Sequence, residues 1–311
     1  MESIPGYSTE LSNDKIIENV KEIGISLSGQ TNNLVPADKK IYALRDSISC
    51  TDSIPLIASS IMSKKIAAGA NKIVLDVTVG KGAFMKNKEE AIKLANTMTK
   101  IGKLAEKETV CVITNMDVPL GTAIGNTLEI IEAISCLKGE MPQDIKEVIE
   151  EIGAYMMKLA NRGNNIEENK SRIEEVIKNG KAYEKFCELV QKQGGDTSYI
   201  EDINKFEKAK FIVPVFAEED GTIENINAEV IGSVSVYLGA GRTKKDDKID
   251  HAVGIVLCKK IGDYAKIGET LAYVYANDEK KVSGAVDNIR NAYKLTNKKV
   301  VIPKTILGIV E

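Results

Sequence analysis

The densest cluster of polar side chains in this 311-residue chain lies between residues 37 and 65. Within it, Ser60 and Lys64 are four positions apart, so they would share one face of a helix. Their neighbours are mostly apolar, and Arg45 on the preceding helical segment adds a planar guanidinium. A hydroxyl, an ammonium and a two-pronged donor in such surroundings could hold a planar, oxygen-rich ligand. These three residues are therefore candidates for a binding site.

The same residues also fit an ordinary exposed helix. Polar pairs four positions apart are common on helix surfaces, where the stems of long side chains lie along apolar neighbours. Because such pairs are so common, spacing alone favours the ordinary helix over a binding site. Both interpretations stay open at this level.

Two glycine-rich turns are weaker candidates for phosphate binding. Residues 79–84 follow a predicted strand and precede a predicted helix, where the amides of a turn can hold a phosphate. Residues 238–242 read Leu-Gly-Ala-Gly-Arg and are equally ambiguous. Neither turn contains a full G-x-G-x-x-G or Walker pattern, and we interpret the first as a tight strand-to-helix turn.

Two carboxylates, Asp117 and Glu132, flank a predicted helix start and could bind a cation. Exposed carboxylates are common on protein surfaces, so a solvated side chain is the ordinary alternative for each of them. Their positions alone do not predict a cation site.

Composition excludes several classes of protein and of site. The net charge is −3, from 42 basic and 45 acidic residues, so we expect no binding of nucleic acid or of an anionic membrane. No apolar run could span a bilayer, and residues 1–9 contain no apolar signal core. The five cysteines include no C-x-x-C pair, so neither a zinc site nor a disulfide framework is predicted, and a reducing cytoplasm is expected. The single histidine, His251, excludes a mechanism that needs two histidines within the chain.

Periodicity predicts the elements that must position these residues. Alternating strand and helix signals in the first half predict a parallel sheet with right-handed crossovers, and β-branched runs with glycine-rich turns after residue 210 predict a compact α+β module. Between them, residues 142–193 are helical and highly charged. The predicted helices cover residues 12–24, 36–45, 53–68, 87–107 and 123–137, and the predicted strands cover residues 72–77, 109–113, 211–216, 231–238 and 254–258.

Read in order, several segments resemble the pyrimidine-nucleoside phosphorylase and thymidine phosphorylase family. One of them is Ser-Ile-Pro-Leu-Ile-Ala-Ser-Ser-Ile-Met-Ser-Lys-Lys at residues 53–65. The resemblance covers nearly the whole chain, and its motifs are too long to match by chance. The similar runs are residues 25–46, 53–70, 75–77, 82–85, 116, 119–121, 123–132, 193–196, 238–242 and 253–256.

The resemblance implies an activity and a site. The family catalyses reversible phosphorolysis, in which phosphate attacks the anomeric carbon of uridine, thymidine or deoxyuridine and releases the base with a pentose 1-phosphate. The sugar becomes cation-like and negative charge develops on the departing pyrimidine, so fixed donors aimed at that charge lower the barrier. By resemblance, Arg45 and Lys64 are the catalytic, base-binding pair, and Ser60 adds a hydrogen bond. Lys64 would act electrostatically and need not be deprotonated.

The resemblance also implies a cofactor, a co-substrate and a partner. The backbone carbonyls of Leu120 and Ala123 and the carboxylate of Glu132 would help to hold potassium (K⁺), for which hard oxygen ligands are suited. Phosphate would be the co-substrate. Members of the family are homodimers that pair through helices of their smaller domain.

An α/β fold with three parts is therefore predicted. A mixed or parallel sheet domain flanked by helices would comprise residues 1–34 and 71–220. Residues 35–70 would form part of a small helical domain, and residues 221–311 a C-terminal α+β module.

The chain departs from the family pattern at several positions. The family usually has Lys in the strand end at residues 76–78, a small residue at Lys81, Gly at Asn32 and Ser-Asp-Met at residues 114–116. Its N-terminal helical segment and its Lys-x-Ser-x-Gly-Gly loop, which binds phosphate and supplies a histidine, have no counterpart here. We therefore expect a part of a longer phosphorylase that is inactive alone.

Two other functions stay open. The chain could be a non-catalytic fragment that binds a pyrimidine or a partner chain. Alternatively, its end could serve as a carrier, because residues 262–269 resemble the turn of a biotinyl or lipoyl barrel, although no Met-Lys-Met attachment hairpin is present. Within the enzyme class, some relatives act on nucleoside monophosphates.

Overall fold

A computed structural model describes residues 1–29, 35–47, 53–242, 244 and 247–311 of the chain. Within these ranges, the side chains of six residues of one helix are not described, namely Lys39, Tyr42, Ala43, Arg45, Asp46 and Ser47.

The described elements alternate between helices and short strands. In chain order they are α1 (Asn13–Ile23), α2 (Pro36–Ser47), α3 (Ile54–Ala67), β1 (Lys72–Val79), α4 (Lys88–Leu104), β2 (Glu108–Asn115), β3 (Ala123–Ile124), α5 (Asn126–Leu137), α6 (Gln143–Leu159), α7 (Ile166–Lys178), α8 (Lys181–Lys192), α9 (Ser198–Glu201), a 3₁₀ helix (Ile203–Lys205), β4 (Phe211–Phe216), β5 (Gly221–Ile226), α10 (Ala228–Leu238), β6 (Gly254–Leu257), β7 (Tyr264–Ala265), β8 (Thr270–Ala276), α11 (Glu279–Ala292), β9 (Tyr293–Thr296) and β10 (Ile306–Val310).

Both predicted ends of the first helix, and the predicted start of the second, are confirmed. The Ser12 side chain accepts a hydrogen bond from the Lys15 N–H at the start of α1, and Gly24 ends that helix in the left-handed conformation. Pro36 begins α2, where its missing N–H leaves no hydrogen bond unmade. In the described ranges, no helix combines the length and the apolar character that crossing a bilayer requires.

A mixed sheet of three strands carries the first part of the fold. β1 and β2 are parallel and in register from the Lys72–Glu108 pair to the Val79–Asn115 pair, as predicted. β10 adds an antiparallel edge to β2, giving the order β1-β2-β10. Helices α3 and α4 cover this sheet, and their buried residues form one core with those of β1. The predicted α/β fold is thus confirmed.

The helix predicted over residues 123–137 begins later than expected. Residues 123 and 124 form β3, which pairs antiparallel with β6, and α5 begins only at Asn126. Between them Gly125 has φ +139°, a conformation that only glycine adopts readily, and a Cβ there would lie 2.5 Å from the Val253 carbonyl oxygen. The close approach of these two backbones ends the strand and starts the helix.

The strand predicted over residues 231–238 is wrong, because this segment forms the last eight of the eleven residues of α10. Its β-branched residues favour a strand locally, but β propensity depends strongly on context. Asn227 caps the helix by accepting hydrogen bonds from two backbone N–H groups of the first turn. Ile231, Val234 and Leu238 recur at helical spacing and are all buried in the core of the C-terminal part.

Two further sheets build the C-terminal part, with strand orders β3-β6-β8-β4 and β7-β5-β9. The strands at 211–216 and 254–257 match the prediction closely. Strands from both sides of residue 220 share sheets, since β3 lies beside β6, β4 beside β8 and β10 beside β2. The C-terminal residues are therefore tied to the earlier part of the chain at three places, and the division into domains stays a prediction.

Candidate functional site

Two side chains predicted for the site, Ser60 and Lys64, meet at a single carboxylate, that of Asp38. The Lys64 ammonium donates to Asp38 Oδ2 at 2.6 Å and to Ser60 Oγ at 2.7 Å. Ser60 Oγ in turn donates to Asp38 Oδ2 at 3.0 Å. These three residues, which we call the Asp38 cluster, form a closed triangle of charge-assisted hydrogen bonds between α2 and α3.

The Asp38 cluster is largely shielded from solvent. The side chains of Lys64 and Asp38 are 24% and 11% exposed, and Ser60 is buried. Two other side chains of α3, those of Ile57 and Met62, pack into the core of the sheet. A buried hydroxyl that is hydrogen-bonded to a partly buried ion pair is not an ordinary exposed helix residue, so that interpretation does not hold for Ser60.

Lys64 keeps one donor for a ligand. A lysine ammonium has three N–H donors, and in the described part of the chain two of them are used by Asp38 and Ser60. The third can meet an incoming acceptor such as a ring carbonyl. The Asp38 carboxylate meanwhile holds the ammonium in place, so the donor is oriented before a ligand arrives.

Asp38 was not among the predicted site residues. It lies in the first turn of α2, where a carboxylate also interacts favourably with the helix N-terminus. The sequence signal was its place in the Pro-Ala-Asp-Lys-Lys run, but its partners lie 22 and 26 positions away on another helix. Arg45 belongs to α2 as well, and its side chain lies outside the described residues, so its role stays a prediction.

The second group of predicted residues lies in the loop between β2 and β3 and on α5. Glu132 turns its carboxylate back towards this loop, where Oε1 accepts hydrogen bonds from Thr122 N at 2.7 Å, Thr122 Oγ1 at 2.5 Å and Ala123 N at 3.3 Å. Its other oxygen, Oε2, lies so close to Gly121 that a Cβ there would be 2.4 Å away. Gly121 also has φ +67°, so only glycine fits well. We call residues 119–123 the cation loop.

Two backbone oxygens of the cation loop can serve as ligands beside Glu132. The Leu257 N–H donates to the Thr122 carbonyl at 2.8 Å. Successive residues of an antiparallel strand direct their backbone N–H and carbonyl groups alternately towards and away from the neighbouring strand. Ala123, the next residue, therefore directs its backbone groups away from β6. On the side away from β6, the Ala123 N–H donates a hydrogen bond to the Glu132 carboxylate. Among the described loop hydrogen bonds, none is accepted by the Leu120 carbonyl. Carbonyl and carboxylate oxygens are ligands that suit K⁺, so the residues present fit this ion.

The surroundings of Glu132 fit a cation site made of oxygens. No cluster of three His, Cys, Asp or Glu side chains that could hold a metal occurs in the described ranges, so a site here depends on backbone oxygens. A cavity of about 550 Å³ opens beside Thr122, Ala123 and Glu132. On the same helix, burial raises the pKa of the Cys136 thiol to about 11, and the neighbouring negative charge of Glu132 adds to the rise.

The turn at residues 79–84 is a tight strand-to-helix turn, as interpreted from the sequence. The Lys81 N–H donates to Asp117 Oδ1 at 3.0 Å, and the Gly82 N–H donates to the Met116 carbonyl at 3.2 Å. Because protein oxygens already accept these hydrogen bonds, the turn does not present a ring of open amides to a phosphate. The Asp117 carboxylate, which the sequence offered as a candidate cation ligand, thus accepts a hydrogen bond from this turn.

The turn at residues 238–242 is the C-terminal end of α10. The backbone N–H groups of Gly239 and Ala240 both donate to the Ser235 carbonyl, as at an ordinary helix end. The Ala240 carbonyl accepts a hydrogen bond from Asn126 Nδ2 at 2.8 Å, which ties this turn to the start of α5. This turn therefore has a structural role in the described conformation.

Comparison with known families gives two matches, one in the N-terminal part of the chain and one in the C-terminal part. The Glycosyl transferase family, a/b domain, matches residues 1–183, which is more than half of the chain. The Pyrimidine nucleoside phosphorylase C-terminal domain matches residues 222–296.

Curated proteins similar to this chain are named pyrimidine-nucleoside phosphorylase. The one from Bacillus subtilis (strain 168) is 47% identical over 304 residues, which cover 97% of this chain and 70% of that protein. The one from Geobacillus stearothermophilus is 48% identical over 279 residues, covering 90% of this chain and 64% of that protein. The one from Staphylococcus haemolyticus is 47% identical over the same length with the same coverage. This chain thus spans about two thirds of the length of these relatives, and it belongs to the pyrimidine-nucleoside phosphorylase family of glycosyltransferases.

Proposed function

We propose that this chain supplies the base-recognition site of a pyrimidine-nucleoside phosphorylase. Its substrates would be uridine, thymidine or deoxyuridine together with phosphate, and its products the free base and a (deoxy)ribose 1-phosphate. The observation that carries the proposal is the Lys64 ammonium, which is partly buried, fixed by Asp38 and Ser60, and left with one N–H donor. Membership of the family supports the same reaction.

The chemistry requires positive charge at the departing base. A phosphate oxygen forms a bond to the anomeric carbon while the bond from that carbon to the ring nitrogen breaks. The electron pair of the broken bond goes to the pyrimidine, whose carbonyl oxygens gain negative charge before the base takes up a proton. The Lys64 ammonium would donate its third N–H to such an oxygen, where a preorganised donor lowers the barrier most. Arg45, on the helix that carries Asp38, is proposed as the second donor.

The cation loop is proposed as a potassium site, with ligands from the carbonyls of Leu120 and Ala123 and from the Glu132 carboxylate. When bound, the ion would supply a fixed positive charge to a loop that is rich in oxygen atoms. The hydrogen bonds from Thr122 to Glu132 orient the carboxylate for this role. The loop leads from β2 to β3, just before α5, so the ion would stabilise the junction between the first sheet and the sheet that contains β3.

A homodimer and a cytoplasmic location belong to the same proposal. The exposed apolar side chains of Ile17, Val20 and Ile41 on α1 and α2, each about half exposed, support a contact with a second copy. The described cysteines are free thiols, which supports a reducing compartment. Sedimentation velocity of the purified chain would measure the association directly.

The test is an assay of the purified chain with uridine, thymidine or deoxyuridine, each with and without phosphate, and with adenosine as a control nucleoside. We expect the chain alone to bind uracil and thymine, to release little or no free pyrimidine from the nucleosides, and to release no adenine. Calorimetry with uracil and thymine gives the base affinity in parallel. Phosphate-dependent release of a pyrimidine by the chain alone would contradict the expected inactivity and exclude the non-catalytic alternative, and the absence of both binding and turnover would overturn the proposal.

A further inference from the structure

One lysine from the C-terminal sheets reaches into the cation loop. The Lys260 ammonium donates to the carbonyl of Pro119 at 2.6 Å, to the carbonyl of Gly121 at 2.6 Å and to Asp144 Oδ2 at 2.9 Å. An ammonium has three N–H donors, so these contacts use all of them. The Lys260 side chain is only 26% exposed, so it does not act as a freely solvated surface lysine.

The turn that carries Lys260 is held firmly in place. The Asp263 carboxylate accepts a hydrogen bond from the Lys260 N–H at 2.7 Å, which closes the turn. The hydroxyl of the buried Tyr293 contacts the carbonyl oxygens of Lys259 and Leu271 at 3.1 and 3.0 Å. The ammonium is therefore delivered from a fixed backbone to a loop about 140 positions earlier in the chain.

Asp144 also holds the cation loop in place. This residue lies in the first turn of α6, and its Oδ2 accepts hydrogen bonds both from the Lys260 ammonium and from the Gly121 N–H at 3.0 Å. Gly121 is thus held through its N–H by Asp144 and through its carbonyl by Lys260, while Glu132 Oε2 lies against its Cα. A loop residue with all its sides engaged has little freedom to move.

From these contacts we propose that Lys260 is a positioning residue for potassium, which fixes the loop oxygens that bind the ion. Leu120 lies between two residues whose carbonyls are bound by this one ammonium, so the orientation of its own carbonyl is restricted as well. The charges also balance, because Asp144 and Glu132 carry two negative charges against those of the ammonium and the ion. The C-terminal sheets would thereby set the affinity of the cation loop. This inference rests on the proposed cation site.

The neighbouring lysine provides a matched control. Lys259 is in the same turn and its side chain is equally 26% exposed, but its ammonium contacts Glu269 at 3.2 Å and the Tyr264 carbonyl at 3.0 Å, away from the cation loop. Lys259→Met and Lys260→Met remove the same charge and leave the same apolar stem. Only the second removes the contacts to Pro119 and Gly121.

The experiment is thermal unfolding of the whole chain across a series of KCl concentrations, with choline chloride keeping the ionic strength constant. An ion that binds only the folded state stabilises it by RT ln(1 + [K⁺]/Kd), so the midpoint temperature rises with the KCl concentration and the curve gives the dissociation constant. Thallium(I) binding, followed by thallium NMR, gives an independent affinity. We expect Lys259→Met to keep the wild-type potassium dependence and Lys260→Met to raise the half-saturating concentration about tenfold or more, because the loop oxygens lose their common donor.

The outcomes separate this proposal from the one on which it rests. A wild-type chain without any potassium-specific rise in midpoint would refute the cation site itself. A wild-type rise that Lys260→Met preserves would refute the role of Lys260 and leave the site standing. Should Lys260→Met fail to fold, Lys260→Arg and Asp144→Asn take its place, since a planar guanidinium cannot direct three N–H groups as an ammonium does. Both are expected to weaken potassium binding several-fold, and unchanged binding in both would overturn the proposal.

Discussion

The Asp38 cluster and the cation loop present different kinds of groups to their ligands. The Asp38 cluster consists of side chains on two adjacent helices, and its ammonium keeps one donor free. The cation loop offers backbone oxygens, and Glu132, Asp144 and Lys260 hold it from three separate elements. Side chains can change rotamer when a ligand arrives, whereas a backbone carbonyl moves only if its loop moves.

This difference predicts how each region responds to mutation. A change in the Asp38 cluster should weaken ligand binding more than folding, because its ion pair keeps some exposure to solvent and contributes less to stability than a fully buried pair. A change in the cation loop should weaken both, because the oxygens proposed as ligands belong to the backbone that joins β2 to β3. The four predictions below test this contrast, in decreasing order of expected effect.

The largest effect is expected for Lys64→Met. It removes the N–H donor that Lys64 is proposed to direct at the departing base, so we expect turnover, or base affinity where turnover is absent, to fall about a hundredfold. The unfolding free energy should fall by less than this, about 2 kcal/mol, because the shielded Asp38 carboxylate keeps its hydrogen bond from Ser60 but loses the Lys64 charge. Rates of base release, calorimetry with uracil and urea unfolding measure these quantities. Lys65→Met, at the next and exposed position of α3, is the control and should behave as the wild type. Equal effects of the two variants would remove Lys64 from the site.

The next effect tests the backbone character of the cation loop. In Gly121→Ala the new Cβ would approach Glu132 Oε2 to 2.4 Å at φ +67°, whereas in Gly69→Ala it would meet nothing within 4 Å at φ +82°. The left-handed conformation alone should cost about 1 kcal/mol in each variant. We expect the unfolding free energy of Gly121→Ala to fall by about 2 kcal/mol more than that of Gly69→Ala, because the added methyl group would displace the Glu132 carboxylate. The dependence of its stability on potassium should be lost as well. Urea unfolding with and without KCl would check both, and equal losses would mean that the loop adapts to the added methyl group.

A smaller effect is expected for Asp38→Asn. The amide can still accept a hydrogen bond from Ser60 but no longer pairs with the Lys64 charge, so base affinity should fall about tenfold, which is 1.4 kcal/mol. Asp14→Asn removes a first-turn carboxylate from α1 and controls for the effect on the helix N-terminus. Calorimetry with uracil compares the two. If Asp38→Asn binds the base as the wild type does, then Asp38 does not position Lys64.

The same contrast explains what the sequence could predict. The spacing of Ser60 and Lys64 placed them on one helix face, and capping residues such as Ser12 marked the helix ends, because both signals are local. Asp38 and Lys260 were missed as partners because periodicity carries no information about which distant elements pack together. The oxygens of Leu120 and Ala123 that we propose as ligands belong to the backbone, so only the resemblance pointed to them. Similarly, the β-branched residues of α10 favoured a strand until the core of the C-terminal part selected a helix.

The smallest effect concerns the pH dependence of stability, through Cys136 on α5, one turn after Glu132. Burial and the charge of Glu132 raise the pKa of Cys136 from 9.0 to about 11. Below the unfolded value of about 9 the thiol is protonated in both states, and between about 9 and 11 the unfolded chain releases a proton that the folded chain retains. Stability should therefore fall as the pH rises through this window, by about 1 kcal/mol from pH 8 to pH 10.

Cys136→Ala isolates this contribution. The variant has no thiol to titrate, so its loss of stability from about pH 8 to about pH 10 should be smaller than that of the wild type by about 1 kcal/mol. Removing the sulfur also lowers the stability of the variant, but by the same amount at both pH values, so this cost cancels in the comparison. Urea unfolding at the two pH values measures the difference. Equal losses in both proteins would mean that burial and Glu132 do not hold the thiol protonated, and hence that the face of α5 that carries Glu132 and Cys136 is more open to water than the structure shows.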